Sequence, residues 1–130
     1  MITIKGKWAL VTGASRGIGK EIATALSNLG CNLILHSRSV EHTNALAEEL
    51  SDKGVRAVSL QADLADPDQV TRLISDIDNA APQIAILYNN AAIMMPYHDD
   101  VWEIPAEEFR QSFETNVISQ IRLCNALIPS

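Results

Sequence analysis

The stretch Thr12-Gly13-Ala14-Ser15-Arg16-Gly17-Ile18-Gly19 decides the fold of this chain. An apolar run, Trp8-Ala9-Leu10-Val11, precedes it, and a helical pattern of apolar residues follows it. A strand that leads through a glycine-rich turn into a helix is the setting in which such a turn binds phosphate groups. The alternative for three glycines is a merely flexible turn, but the flanking strand and helix favour nucleotide binding.

The three glycines of the turn have separate predicted roles. Gly13 permits the tight turn, Gly17 lets the backbone approach a pyrophosphate, and Gly19 lets the helix pack closely on the sheet. The first N–H groups of a helix have no partner within it, and the helix dipole is positive at this end. We therefore predict that the helix start faces the phosphates of a dinucleotide. The predicted cofactor-binding residues of the turn are Gly13, Ser15, Arg16, Gly17, Ile18 and Gly19.

The glycine spacing is Gly-x-x-x-Gly-x-Gly rather than the Gly-x-Gly-x-x-Gly of the commoner dinucleotide-binding fingerprint. With its threonine, the string TGASRGIG closely resembles the turn of the classical short-chain dehydrogenase/reductase family. The resemblance extends over essentially all 130 residues, but it covers only the N-terminal, cofactor-binding portion of that family. It implies an oxidoreductase that moves a hydride between a nicotinamide cofactor and a carbonyl or alcohol substrate. An extended-type epimerase or dehydratase is disfavoured because its glycine spacing usually differs.

Four short apolar runs alternate with four helical patterns along the chain. The runs lie near 7–11, 32–36, 57–60 and 84–88, and the longest helix is expected at about 106–127. This alternation predicts an α/β fold, a Rossmann-like doubly wound parallel sheet with strand order 3-2-1-4 and the later strands missing. The crevice at the reversal of strand order can therefore form from this chain. In the first helix, the pattern predicts an inward stripe of Ile18, Ile22, Leu26 and Leu29.

The composition is that of an ordinary globular chain, with 47% hydrophobic and 20% charged residues. A net charge of −6 without any basic run argues against binding to nucleic acid or an anionic membrane surface. No apolar stretch approaches the ~20 residues of a membrane span, and a signal peptide has no room before the first strand. Cys31 and Cys124 do not form a disulfide framework, and the histidines lack metal-ligand spacing. We expect a cytoplasmic protein without a metal site.

The end of the second strand selects the cofactor. An NAD site has an acidic residue there, about 20 residues beyond the glycine turn, that accepts hydrogen bonds from the ribose. This chain has His36-Ser37-Arg38-Ser39 instead. Guanidinium groups of Arg16 and Arg38 converging on one ribose suit a 2′-phosphate. The supporting hydroxyl donors are Ser15, Ser37 or Ser39. We therefore predict NADP(H) over NAD(H), as the resemblance also implies; the alternative is that Arg38 is a solvated surface residue.

The ends of the third and fourth strands carry cofactor contacts that the resemblance implies. Asp63 matches an aspartate that contacts the adenine amino group, and the backbone of Leu64 would line the adenine slot; the alternative is a turn aspartate. Asn90 and Ala91 match the family's Asn-Asn-Ala-Gly, whose backbone passes beside the cofactor ribose. Ala92 stands where that motif has glycine, and its methyl group could crowd the cofactor or shift this loop.

Asn116 is the one candidate catalytic residue. It lies on the apolar face of the long helix with Phe109 and Phe113, where an unbonded amide would cost roughly 1–3 kcal/mol. The alternative to catalysis is a structural amide that bonds backbone. The resemblance of Asn116-Val117 implies the asparagine of an Asn-Ser-Tyr-Lys tetrad, on a helix that commonly packs in a subunit interface.

The other tetrad residues are missing from the sequence. The family's tyrosine has a lysine four residues later, but Ala92 follows Tyr88 and Val101 follows Tyr97 at that distance, and no lysine occurs after Lys53. We therefore expect a truncated, nicked or partial reductase that is inactive alone. A second copy, a swapped element or the missing C-terminal piece should cover its open fourth strand. The alternative is a non-catalytic nucleotide-binding or interaction module that ends naturally at Ser130.

Overall fold

The computed structural model describes residues 2–129 and contains one parallel sheet in the strand order β3-β2-β1-β4. The strands are β1 (Trp8–Val11), β2 (Asn32–Ser37), β3 (Ala57–Gln61) and β4 (Ile84–Tyr88). The α-helices are α1 (Gly17–Asn28), α2 (Asn44–Asp52), α3 (Pro67–Ala80), α4 (Ala106–Phe113) and α5 (Ser119–Leu127). Short 3₁₀ turns lie at Val40–His42 and Val101–Glu103. The predicted doubly wound fold and its strand order are confirmed.

Both faces of the sheet are covered, which explains why β2 is apolar without alternation. Leu33 and Leu35 of β2 pack in a core with residues of α1 and α2. Ile34 faces the other side, in a core that includes Leu73 of α3 and Leu123 of α5. All six residues of β2 are buried. A central strand of a parallel sheet is buried on both faces, and its sequence becomes a continuous apolar run.

The inward face of α1 differs from the predicted stripe. Ile18 and Leu29 are 71% and 61% exposed. The buried residues are instead Gly19, Ala23 and Ser27, which recur every fourth position. Ile22 and Leu26 of the predicted stripe are half-buried and pack against the core, as expected. The tight glycine turn brings the start of α1 so close to the sheet that only glycine fits at position 19. Small residues therefore take the most buried positions of this face, and the two ends of the predicted stripe are exposed.

The long C-terminal helix is interrupted by a π-helical turn at Glu114–Ile118, which joins α4 to α5. The sequence did not predict this turn, and Asn116 lies within it. Turns of this kind widen the helix by one residue and frequently occur at functional sites. The helix also presents an apolar surface that no element within residues 2–129 covers. We call this the exposed stripe; its residues are Phe109, Phe113, Val117 and Ile121.

No helix within residues 2–129 combines the length and the apolar character needed to cross a membrane.

Candidate nucleotide-binding site

The glycine-rich turn leaves the sheet at the point where the strand order reverses. Val11, the last residue of β1, is paired with Leu35 of β2 on one side and with Tyr88 of β4 on the other. The chain that follows β2 runs to one side of β1, and the chain that follows β4 runs to the other. A crevice at the carboxyl ends of the strands results, and ligands bind at such a crevice in open α/β sheets.

Thr12 fastens the turn to the end of β4. Its side chain is buried, and its Oγ1 accepts hydrogen bonds from the backbone N–H groups of Asn90 and Ala91, both at 3.0 Å. Its own backbone N–H donates to the carbonyl oxygen of Tyr88 at 3.1 Å. The Asn90 side chain adds a bond between the same two segments, because its Nδ2 donates to the carbonyl oxygen of Gly13 at 3.1 Å. These bonds fix the relative position of the two segments that border the crevice.

The three glycines of the turn face different surroundings. Gly13 has φ +64°, and a Cβ built there would lie 2.9 Å from the Cα of Ala91. A Cβ at Gly19 would overlap the Gly13 carbonyl oxygen and lie 2.6 Å from the Nδ2 of Asn90. Gly17 has φ +57°, and a Cβ there would meet no atom within 4 Å. Gly13 and Gly19 are therefore required by packing, whereas Gly17 borders open space.

The start of α1 is open to an anion. Arg16 precedes the helix in an extended conformation, and no side chain caps the first turn. The first-turn N–H groups therefore retain their capacity to donate, and the positive end of the helix dipole lies beside them. Ile18 and the Arg16 side chain are exposed, and Ser15 is half-buried. The turn thus has the donor set and the space that a phosphate group requires.

His36 holds the turn from the opposite side, and the sequence analysis did not identify it. Its Nδ1 accepts a hydrogen bond from the backbone N–H of Gly13 at 3.2 Å, and its Nε2 lies 3.0 Å from the carbonyl oxygen of Ala62. Burial lowers the pKa of His36, and the hydrogen bond to Ala62 opposes this in part. The sequence did place a histidine at the end of an apolar strand, which could have indicated a buried polar contact. The sequence analysis considered His36 only as a possible metal ligand.

The two arginines proposed for the 2′-phosphate lie at the ends of neighbouring segments. Arg16 lies in the turn and Arg38 directly follows β2; both are exposed, and neither forms an ion pair within residues 2–129. Ser37 corrects one prediction, since it is buried and its hydroxyl donates to the carbonyl oxygen of Ser39 at 2.5 Å. Its hydroxyl is therefore bonded within the protein, and Ser15 and Ser39 remain the predicted hydroxyl donors.

The segment after β3 places Asp63 at the surface and Leu64 in the core. The Oδ1 of Asp63 accepts a hydrogen bond from the N–H of Ala65 at 2.9 Å, as a turn aspartate does. Asp66 caps α3 by accepting from the N–H groups of Asp68 and Gln69. The side chain of Leu64 is buried in the core, so only its backbone can face a ligand.

Asn116 is tied to the segment after β4. Its Nδ2 donates to the carbonyl oxygen of Ile93 at 2.8 Å, and its Oδ1 accepts from the N–H of Ile93 at 2.9 Å. The Oγ of Ser112 lies 3.3 Å from the same Nδ2. The π-helical turn thus directs a half-buried amide at one residue of the loop. This geometry meets the requirement of a structural amide, and it also places Asn116 beside the loop that continues from Asn90 and Ala91. Ala92, in the same loop, is exposed.

No group of three or more potential metal-ligating side chains occurs in the part of the chain that the structure describes.

Together, the sheet order and the open turn at its reversal define a Rossmann-like α/β protein. Residues 7–130 match the family model described as short chain dehydrogenase. The chain therefore belongs to the short-chain dehydrogenase family, and the resemblance seen in the glycine turn is confirmed.

Individual relatives agree with this assignment. A 1-deoxy-11-beta-hydroxypentalenate dehydrogenase of Streptomyces arenae is 32% identical over 121 residues, which are 93% of this chain and 43% of that protein. An L-sorbose reductase from Gluconobacter frateurii, solved with NADPH and L-sorbose, superposes with a TM-score of 0.88 at 31% identity; the match covers 97% of this chain and 48% of that one. A metagenomic short-chain oxidoreductase solved with NADP gives a TM-score of 0.88 at 29% identity. That match covers 97% of this chain and 57% of the other. The chain thus spans about half the length of the relatives it matches.

Proposed function

We propose that this chain is the cofactor-binding part of an NADP(H)-dependent oxidoreductase that acts on a small carbonyl or alcohol substrate. One observation carries the choice of cofactor. The open helix start is flanked by two exposed guanidinium groups, of Arg16 and Arg38, and no acidic residue follows β2 where an NAD site would have one. Two of the similar solved structures contain NADPH or NADP, which supports the same choice.

The turn and its neighbours would hold the cofactor in a defined orientation. The first N–H groups of α1 would bind the pyrophosphate beside Gly17, and the two guanidinium groups would bind the 2′-phosphate. Asp63 and the backbone of Leu64 would border the adenine. The segment Asn90–Ala91 would pass the ribose on the other side of the crevice. Because Thr12 and Asn90 tie this segment to the turn, one network of hydrogen bonds would position both sides of the cofactor.

The bound nicotinamide would supply or accept the hydride, and the rest of the chemistry requires groups that orient the substrate and exchange a proton with it. Asn116 is the only member of an Asn-Ser-Tyr-Lys set that we assign within this chain. Its amide would keep the loop at Ile93 in place beside the nicotinamide end. Since no tyrosine here has a lysine four residues later, we propose that the chain is inactive alone and that the remaining groups lie in a further piece of the protein.

The exposed stripe and the free edge of β4 indicate what that piece would contact. The Tyr88 side chain is exposed on β4, and the four residues of the stripe recur every fourth position along the helix. An edge strand and an apolar helical surface are usually covered in a native protein. We propose that the missing piece, or a second copy of the chain, covers them. Two free cysteines, one of them buried, fit a reducing cytoplasmic setting.

Cofactor choice is tested by changing Arg38 to Asp. Loss of one charge-assisted hydrogen bond to the 2′-phosphate costs about 1.5–3 kcal/mol, so NADPH affinity should fall at least about tenfold while NADH affinity changes little. Calorimetric titration of the 130-residue chain with both nucleotides measures this difference. Lys53→Asp is the matched control, since it changes the same net charge at the far end of α2 and should leave both affinities unchanged. Equal losses for NADPH and NADH would contradict the proposal.

Inactivity of the chain alone distinguishes the reductase from its alternative, a non-catalytic nucleotide-binding module. The purified 130-residue chain should oxidise no NADPH with a panel of aldehydes, ketones and quinones, followed by absorbance at 340 nm. A reproducible rate would contradict the assignment of proton transfer to a missing piece. A coding sequence that continues with Tyr-x-x-x-Lys supports the reductase, and a stop codon directly after Ser130 supports the module.

A further inference from the structure

His36 connects the ends of three neighbouring strands through its ring. It lies on β2 itself, its Nδ1 contacts the backbone N–H of Gly13 just after β1, and its Nε2 contacts the carbonyl oxygen of Ala62 just after β3. Gly13 is the residue at which the nucleotide-binding turn begins. The ring is almost fully buried, with 2% of the residue exposed. This contact is independent of Thr12 and Asn90, which hold the turn from the side of β4.

The two bonds require one form of the ring. A backbone N–H can only donate, so the Nδ1 that faces Gly13 must carry a lone pair. A carbonyl oxygen can only accept, so the Nε2 that faces Ala62 must carry the proton. A protonated imidazole would place a second N–H against the N–H of Gly13, and two donors in contact repel each other. The arrangement is therefore compatible only with the neutral ring protonated on Nε2.

Burial, and not a charged partner, keeps this ring neutral. The charged residues on the segments around it are Arg16 in the turn, Arg38 after β2, Asp63 after β3 and Asp66 at the start of α3. Arg16, Arg38 and Asp63 are exposed, and none of the four charged residues contributes to the shift in the pKa of His36. Burial lowers that pKa, and the hydrogen bond to Ala62 opposes the shift.

We propose that His36 is a positioning residue for the dinucleotide, whose neutral ring holds Gly13 in the phosphate-receiving conformation and releases the turn when it is protonated. This inference rests on the proposed function, because it assumes that the turn binds the cofactor's phosphates. The unfolded ring binds a proton near pH 6.5, and the folded ring does so only at lower pH. The contribution of His36 to stability is therefore complete above pH 6.5 and is lost as the pH falls towards the folded pKa. Nucleotide affinity should fall in the same range.

Two amide substitutions separate the two bonds. His36→Asn keeps an oxygen at the δ position that can accept from Gly13, and His36→Gln keeps an N–H at the ε position that can donate to Ala62. At pH 7.5 we expect NADP⁺ to bind the Asn variant within about twofold of the unmodified chain. The Gln variant should bind about tenfold more weakly, which corresponds to about 1.4 kcal/mol. Each variant loses one hydrogen bond, so a purely structural role of His36 predicts a similar loss of NADP⁺ affinity in both. Similar losses would overturn the inference.

The pH response provides the second readout. Because the 2′-phosphate itself gains a proton near pH 6, the informative quantity is the difference between variants in how affinity changes from pH 7.5 to 5.5. The Asn variant has no titrating ring and should lose less affinity than the unmodified chain. An identical loss in both would overturn the proposed release by protonation.

Nuclear magnetic resonance tests the ring without any nucleotide. The ¹⁵N signals of His36 should show a protonated Nε2 and an unprotonated Nδ1, and the Gly13 amide signal should shift as the ring titrates. A proton on Nδ1 at pH 7.5 would overturn the inference by itself. If the ring behaves as expected but the unmodified chain binds neither NADP⁺ nor NADPH, the proposed function fails, and the contact between His36 and Gly13 stands as a structural one.

Discussion

The two sides of the crevice differ in how completely this chain builds them. At the glycine turn, polar atoms of Thr12, Asn90 and His36 hold the backbone from both sides through specific hydrogen bonds. On the outer side of β4, the exposed stripe and the Tyr88 side chain have no covering layer within residues 2–129. The first region is internally satisfied and should be sensitive to every small change. The second consists of exposed side chains and should tolerate change in the isolated chain.

The sharpest test of this difference is a methyl group at Gly19. Gly19→Ala would force its Cβ into the Gly13 carbonyl oxygen, where backbone must move to relieve the overlap. We expect a loss of more than about 3 kcal/mol in the free energy of unfolding, measured by denaturant titration, or a failure to fold. Gly17→Ala is the control, since its Cβ meets open space and only the positive φ costs about 1 kcal/mol. Similar losses at the two positions would mean that the helix does not pack on the turn as described.

A smaller loss should follow removal of the Thr12 hydroxyl. Thr12→Val keeps the shape of the side chain but leaves the N–H groups of Asn90 and Ala91 without an acceptor, at a cost of about 2 kcal/mol. NADP⁺ affinity should fall as well, because the two borders of the crevice lose two of the hydrogen bonds that link them. Thr24→Val on α1, where the hydroxyl bonds only its own helix, should change unfolding by less than about 0.5 kcal/mol. If Thr12→Val left the free energy of unfolding unchanged, the main support for a rigid crevice would be removed.

The smallest effect is expected on the exposed stripe. Phe113 is 59% exposed, so Phe113→Ser should alter the free energy of unfolding of the dilute chain by no more than about 0.5 kcal/mol. Leu123→Ala, two positions beyond the last residue of the stripe and fully buried, should cost about 2–5 kcal/mol by comparison. Sedimentation velocity at rising concentration should show weaker self-association for Phe113→Ser if a second copy covers the stripe. A large loss of stability for Phe113→Ser would mean that this surface is already packed within the chain.

The sequence was most informative where local chemistry and backbone geometry coincide. The apolar runs predicted all four strands, because a buried strand is marked by a run of neighbouring apolar residues. The predicted inward face of α1 was right at Ile22 and Leu26 and wrong at Ile18 and Leu29. The closeness of Gly19 to the turn, a tertiary contact, selects small residues at the most buried positions of that face. The π-helical turn around Asn116 was also missed, because nothing in its local sequence distinguishes it from a continuing helix.

In the candidate site, too, features set by adjacent residues were predicted and features set by tertiary contacts were not. TGASRGIG and the absence of an acidic residue after β2 indicated a dinucleotide and, as a prediction still to be tested, NADP(H). The hydroxyl of Ser37 was assigned to the ligand on the basis of its position beside Arg38, but the fold turns it towards Ser39. His36 lies in the same short string, and only the structure shows that its ring reaches Gly13.

The sequence by itself determined the class of fold, the position of the glycine turn and the family, because each depends on periodicity and on short strings of adjacent residues. Tertiary structure alone decided which side chains support the turn. Thr12, His36 and Asn90 come from three separate segments, and their hydrogen bonds form only when the parallel strands bring their carboxyl ends together. A contact between residues more than twenty positions apart depends on the register of the sheet, which no local pattern specifies.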